Sequence, residues 1–132
     1  MKQYRAGCLC GAVRLRAVGQ PDRVGLCHCL DCRKYHGSLF HASAIFPEQA
    51  VAIEGDTREW RGRHFCPICG SAVYQITDNE IEVNLGALDE SNQLMPTMSS
   101  GSYGAKPGYR RFPWRITIFA IGNRIVVTII NY

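Results

Sequence analysis

Cys66-Pro67-Ile68-Cys69-Gly70-Ser71-Ala72-Val73 decides how this chain is read. Two cysteines at this spacing bring their thiolates onto one soft metal ion. Zn2+ is the default, because it takes four tetrahedral sulfur or nitrogen ligands. The glycine after the second cysteine permits a positive φ, which lets backbone N–H groups turn toward the sulfurs. The β-branched and aromatic run that follows reads as a strand. The same order of cysteine pair, Gly, small residue and Val stands far upstream in Cys8-Leu9-Cys10-Gly11-Ala12-Val13. Two such knuckles from distant points of the chain are expected to share one ion. Cys8, Cys10, Cys66 and Cys69 then make a closed, structural four-thiolate site that contributes directly to folding.

The chain has seven cysteines, one short of two full shells. The remaining three lie in Cys27-His28-Cys29-Leu30-Asp31-Cys32. Cys27, Cys29 and Cys32 are read as a second zinc site with an open fourth position, where chemistry can take place. Two other readings stand beside this one. A histidine (His28, His36, His41 or His64) completes a second closed shell, or the cluster is a redox dithiol, which normally accompanies a βαβ pattern lacking here. His28 sits between two ligands on an extended stretch, so its side chain is expected to point away from the metal. Arg33 and Lys34 follow the cluster as a solvated basic pair, or as cations that offset thiolate charge and attract an anionic substrate. No general base stands out.

A length of 132 residues allows one domain with a modest core. No apolar run approaches the roughly 20 residues of a membrane span. The start, Met1-Lys2-Gln3-Tyr4-Arg5, lacks the apolar stretch of a signal peptide. The expected compartment is the reducing cytoplasm, where clustered cysteines are metal ligands rather than disulfides. The formal charge of +4 falls to about +1 once seven thiolates hold two Zn2+ ions. The basic balance is therefore no nucleic-acid signal, and no basic stripe with interleaved aromatics is present.

Short β-type runs dominate the first 95 residues. Ala12 to Val18 alternates, with Val13, Leu15 and Ala17 on one face and Arg14 and Arg16 on the other. Strands are also expected at Ser38 to Phe46, Val51 to Glu54, Ala72 to Thr77 and Ile81 to Leu85, with a turn at Asp78-Asn79. Only Leu30 to His36 and Pro47 to Ala50 suit a helical turn. The class is mainly β.

The succession G-x-C-x-C-G-x-V, C-H-C-x-x-C-R-K and F-C-x-x-C-G-S, from Gly7 to about Pro96, resembles the glutathione-dependent formaldehyde-activating enzyme family. Centromere protein V belongs to the same superfamily. Gly37-Ser38 and Asn84-Leu85-Gly86 also look like family positions. The resemblance implies an Mss4-like fold of short antiparallel sheets with a zinc-ribbon core. It implies the same division of ligands, a structural zinc on Cys8, Cys10, Cys66 and Cys69 and a catalytic one on Cys27, Cys29 and Cys32. The implied chemistry is that of a carbon–sulfur lyase joining a small thiol such as glutathione to an aldehyde. A three-thiolate zinc suits thiol exchange better than strong Lewis-acid work. Zinc ribbons also serve as non-catalytic binding modules, the competing reading.

The resemblance stops after Thr97, which divides the chain into a zinc-binding domain over 1–97 and an atypical tail over 98–132. A common form of the family continues P-T-Y-E-L-W-V-V-R-R-E-x-W-L-P. Codons exist for Met98 to Tyr109 that, with one T placed before them, read Y-E-L-W-V-V-R-R-E-A-W-L. The tail therefore reads as the product of a one-base frameshift, with a lineage-specific hairpin as the alternative. Gly101 to Gly108 is expected to be loose, and Ile116 to Ile130, apolar and β-prone with little charge, either to form an adventitious hairpin around Gly122-Asn123 or to drive aggregation. An inactive family member is the outcome if the lost tail completed the pocket.

Overall fold

The computed structural model describes residues 1–90, 93–100, 114–121 and 124–131, the last two ranges as backbone. Its strands are β1 (Gln3–Gly7), β2 (Arg14–Val18), β3 (Arg23–Cys27), β4 (His41–Pro47), β5 (Val51–Glu54), β6 (Arg58–Trp60), β7 (Arg63–Phe65), β8 (Ala72–Thr77), β9 (Glu80–Asn84), β10 (Met98–Ser100), β11 (Trp114–Ile121) and β12 (Arg124–Asn131). One helix, α1 (Leu30–His36), follows β3. The architecture is mainly β, as the alternating runs require.

Two compact units divide the chain, Met1–Gly101 and Ser102–Tyr132. The first holds a three-stranded sheet in the order β1-β2-β5 and a seven-stranded sheet in the order β10-β3-β4-β9-β8-β7-β6. All pairs are antiparallel except β10 on β3. In the second unit β11 and β12 pair antiparallel from Trp114↔Asn131 to Ile121↔Arg124. The expected turn at Gly122-Asn123 and the expected loose stretch Gly101 to Gly108 lie outside the described residues. Among the described residues no helix is long and apolar enough to cross a membrane.

Alternation in each strand decides what the sheets bury. Tyr4 and Ala6 of β1, Leu15 and Ala17 of β2, Val24 of β3, Ala44 and Phe46 of β4, and Ile81 and Val83 of β9 form one apolar cluster. Tyr4 and Phe46 meet with ring centroids 5.8 Å apart. The opposite face of the seven-stranded sheet carries different chemistry. Register partners share a face, so Cys27 stands beside His41, Gly25 beside Ser43, Ser43 beside Asn84 and Ile45 beside Glu82. His41, Ser43 and Asn84 are buried although polar.

Some boundaries differ from those the sequence suggests. β4 begins at His41 rather than Ser38. Gly37 closes α1 in the left-handed region at φ 61°, and the Ser38 hydroxyl donates to the Phe40 carbonyl, so the chain is turning there. A third helical turn, a 3-10 turn at Leu85–Ala87, escaped the two-site expectation. Strands β1, β3, β6, β7 and β10 escaped it too. They are only 3 to 5 residues long, and neighbours distant in sequence complete their hydrogen bonding.

Candidate metal centres

The two knuckles are built alike. Cys8 follows β1 directly, and its N–H donates to the Val13 carbonyl at 3.0 Å, while Gly11 N–H returns to the Cys8 carbonyl at 3.2 Å. Cys66 follows β7, its N–H donates to the Ser71 carbonyl at 3.0 Å, and Gly70 N–H returns to the Cys66 carbonyl at 2.9 Å. Gly11 (φ 83°) and Gly70 (φ 75°) take the left-handed conformation that an L side chain resists. Val13 N–H points at Cys8 Sγ, 3.2 Å away. Leu9 N–H crosses to the Ser71 hydroxyl at 3.0 Å and joins the knuckles.

The four thiols Cys8, Cys10, Cys66 and Cys69 lie within 4.8 Å of one another. Cys8 and Cys10 sulfurs are 3.5 Å apart, and those of Cys10 and Cys66 3.7 Å. Four sulfurs held tetrahedrally at 2.3 Å from a zinc ion would lie about 3.8 Å apart, so this group fits such an ion. The first cysteine of each knuckle is buried and the second exposed. Hydrogen bonds from the Ser71 hydroxyl and from backbone, opposed by a little burial, bring Cys69 down to about 5. A thiolate already present is what metal capture needs.

The second group gathers Cys27, Cys29 and Cys32, also within 4.8 Å of one another. Cys27 ends β3. Cys29 is the N-cap of α1, with φ −63° and ψ 156°, and its sulfur accepts a hydrogen bond from Cys32 N–H at 3.3 Å. Cys32 is buried within the helix. The hydrogen bond from the Cys32 thiol, against the opposing effect of burial, brings Cys27 down to about 5. The same bond, with burial and the neighbouring thiolates, pushes Cys32 well up. The group thus brings three sulfurs together, with Cys27 favoured as thiolate and Cys32 as thiol. Each of the two groups is arranged so that it could hold a metal ion.

No histidine joins either group among the described residues. His28 Nε2 lies 3.0 Å from Ser99 Oγ, with its ring tilted against Phe40. His64 Nδ1 lies 2.9 Å from Thr57 Oγ1, and its ring stacks on Tyr74 at 4.5 Å. His36 and His41 stack on each other at 3.9 Å with rings 4° from parallel. Tyr35 meets His36 edge-on, and the Arg63 guanidinium lies 5.8 Å from the Tyr35 ring. Lys34 and Arg33 line an open groove of about 400 Å3 along α1 with Leu30, Gly37, Ser38 and Leu39.

His41 gives a pH dependence with a defined sign. Burial, then the nearby His36 and Arg63, lower it from 6.5 to about 4. Between those values the unfolded chain binds a proton that the folded chain refuses, so stability falls as pH drops through this window. The loss is at most about 3 kcal/mol and is absent above neutrality. Chemical denaturation from pH 7 to pH 5 checks it, and a His41→Gln variant is expected to flatten the slope relative to the parent. Equal slopes would remove His41 as the cause.

Sequence reasoning missed Ser43, Asn84 and Glu82 as sharing the sheet face of Cys27, and weighed His41 only as a ligand of the second group. The one available signal was the alternation in Ile81-Glu82-Val83-Asn84, which sets Glu82 and Asn84 opposite the apolar face but does not say what shares it.

An uncharacterized lyase of Schizosaccharomyces pombe is 29% identical over 79 residues, 56% of this chain and 58% of the relative. The chain thus spans less than two thirds of the length of the curated relative it matches. The profile of the family described as "Glutathione-dependent formaldehyde-activating enzyme" matches residues 3–102. That range extends beyond Gly7 and Pro96 and takes in both cysteine groups. With three quarters of its residues matched, the chain belongs to the glutathione-dependent formaldehyde-activating enzyme family.

Proposed function

We propose that the protein is a zinc-dependent, lyase-type enzyme that makes or breaks the carbon–sulfur bond between a small thiol and an aldehyde, with an S-hydroxymethylglutathione-like adduct as substrate. Two Zn2+ ions per chain are proposed, a structural one on Cys8, Cys10, Cys66 and Cys69 and a catalytic one on Cys27, Cys29 and Cys32. The observation that carries the reading is the contrast between the groups. One has four sulfurs and the other has three, with no histidine converging among the described residues. A zinc ion in the second group supplies a fourth position at which a thiol is acidified and oriented.

The protein side of the chemistry follows from the surroundings. Cys29 and Cys32 are held by the first turn of α1 and Cys27 by the end of β3, so the three sulfurs are fixed by hydrogen-bonded backbone. Arg33 and Lys34 follow Cys32 directly in the chain, and their positive charge favours an anionic thiol. The free cysteines fit the reducing cytoplasm, the compartment we assign.

A second reading has its own observation. Leu9 and Ile68, at the tips of the two knuckles, are 90% and 76% exposed, which suits a non-catalytic zinc ribbon that binds another macromolecule. Metal analysis with a chelator challenge separates the two. The enzyme reading expects two zinc ions, one of them removed readily and perturbed by glutathione, and faster formation of the formaldehyde–glutathione adduct. One tightly held ion with no response to thiols would sink it in favour of the binding module.

A further inference from the structure

The polar face beneath Cys27 holds a carboxylate that the reading above leaves without a task. Glu82 stands on β9, opposite Ile45 of β4. It accepts a hydrogen bond from Ser43 Oγ at 3.4 Å, so its carboxylate leans diagonally along the sheet toward Cys27. Ser43 in turn pairs with Gly25, two residues before Cys27. Met98 lies over that glycine, its Cγ 2.9 Å from where a Cβ would be. Between the row of Cys27 and His41 and the row of Arg23, Ile45 and Glu82 lie Ser43 and Asn84, which are buried and polar like His41, with Met98 covering Gly25 beside them.

Two observations distinguish Glu82 from other acids. Glu80, its neighbour on the same face, is occupied by Arg23 through two hydrogen bonds of 2.9 and 2.5 Å. Glu82 takes part in no ion pair among the described residues. Burial, and after it the negative charge of Cys27 and Glu80, raise its proton affinity, against the pull of Ser43 and Arg23. A carboxylate that is half-buried, free of an ion pair among the described residues and bonded through Ser43 to the face that carries Cys27 is able to hold a proton and return it.

We infer that Glu82 is the proton-transfer residue of the Cys27, Cys29 and Cys32 centre, an assignment that rests on the enzyme reading above. In the cleavage direction the adduct's hydroxyl proton passes to the Glu82 carboxylate. The O–H electron pair becomes the second bond of the aldehyde carbonyl, the carbon–sulfur bond breaks, and its electron pair leaves on sulfur. Glu82 then returns the proton to the thiolate, giving free thiol and aldehyde. In the synthetic direction Glu82 receives the thiol's proton and delivers it to the new hydroxyl. No oxidant or further reactant enters.

The test counts protons as well as turnover. Zinc-loaded protein is titrated calorimetrically with glutathione at pH 7 in buffers of different ionisation heat, and adduct formation with formaldehyde is followed by NMR. The arriving thiolate charge strengthens Glu82's hold on the proton, so the wild type is expected to release well under one proton per thiol bound. Glu82→Gln is expected to release close to one, to bind zinc and glutathione unchanged, and to react about 100-fold more slowly. Glu82→Asp is expected to recover part of the rate. An unchanged proton count and rate in Glu82→Gln would overturn the assignment while wild-type turnover left the enzyme reading standing. A wild type that neither binds glutathione nor speeds the reaction overturns both. If Glu82→Gln fails to load zinc, the wild-type count decides alone: release of a full proton overturns the assignment, and retention supports it.

Discussion

Cys69→Ser is expected to abolish the cooperative thermal transition of the Met1–Gly101 unit. Cys69 is exposed, so replacing its sulfur by oxygen removes no core packing, and the isolated exchange on a surface would ordinarily cost less than about 0.5 kcal/mol. The large effect expected comes from the proposed closed zinc site. Structural zinc supplies apparent binding energies of about 10–16 kcal/mol in small zinc domains, against a total stability of about 5–15 kcal/mol for a typical fold. A hard serine oxygen in place of one thiolate forfeits enough of that term to exceed the margin. The architecture gives a second reason. The two knuckles join β1 to the β7–β8 hairpin, segments far apart in sequence, and besides the sulfurs themselves a hydrogen bond from Leu9 N–H to Ser71 Oγ links them. Circular dichroism melts with parallel zinc analysis make the measurement. A variant melting cooperatively within a few degrees of the parent, with its zinc lost, would show that the closed site does not sustain the fold.

Cys29→Ser is expected to do the opposite, leaving the fold intact, halving the zinc content and reducing turnover to the uncatalysed rate. Cys29 caps α1, its sulfur accepting from Cys32 N–H. Serine is among the preferred N-caps, so the helix keeps its first-turn hydrogen bond. The buried neighbour Cys32 stays packed, and none of the apolar cluster of the sheets is touched. What is lost is one of three sulfurs around the proposed catalytic ion, and two thiolates hold Zn2+ far less tightly than three. Cobalt substitution provides the readout, since the charge-transfer band from the second centre is expected to vanish while that from the four-sulfur centre remains. If Cys29→Ser and Cys69→Ser melt alike, the four-plus-three division of the cysteines is wrong.

Much of the candidate site was legible in the amino-acid sequence. The pairing of Cys8 and Cys10 with Cys66 and Cys69 follows from repeated local grammar, and Gly11 and Gly70 adopt the positive φ that this grammar demands. β5 and β8 fall where alternation and turn residues put them, and so does α1. The tail was legible in another sense. Its apolar β-prone runs pair with each other as β11 and β12, as such runs do whatever their origin. The histidines were not legible. Four were candidates for completing the three-sulfur shell, and burial and ring stacking engage His36 with His41 and His64 with Tyr74 instead.

The sequence by itself determined the three short cysteine clusters, because knuckle and helix-cap geometry act over two to four residues and owe little to the rest of the chain, and the repeated knuckle pattern marked which two would meet; the fold brings Cys8 and Cys10 to Cys66 and Cys69. Only the tertiary structure decided that His41, Ser43, Asn84 and Glu82 share a face with Cys27. Cross-strand neighbours are set by the register between β3, β4 and β9, and a slip of one residue would carry each of these side chains to the other side of the sheet.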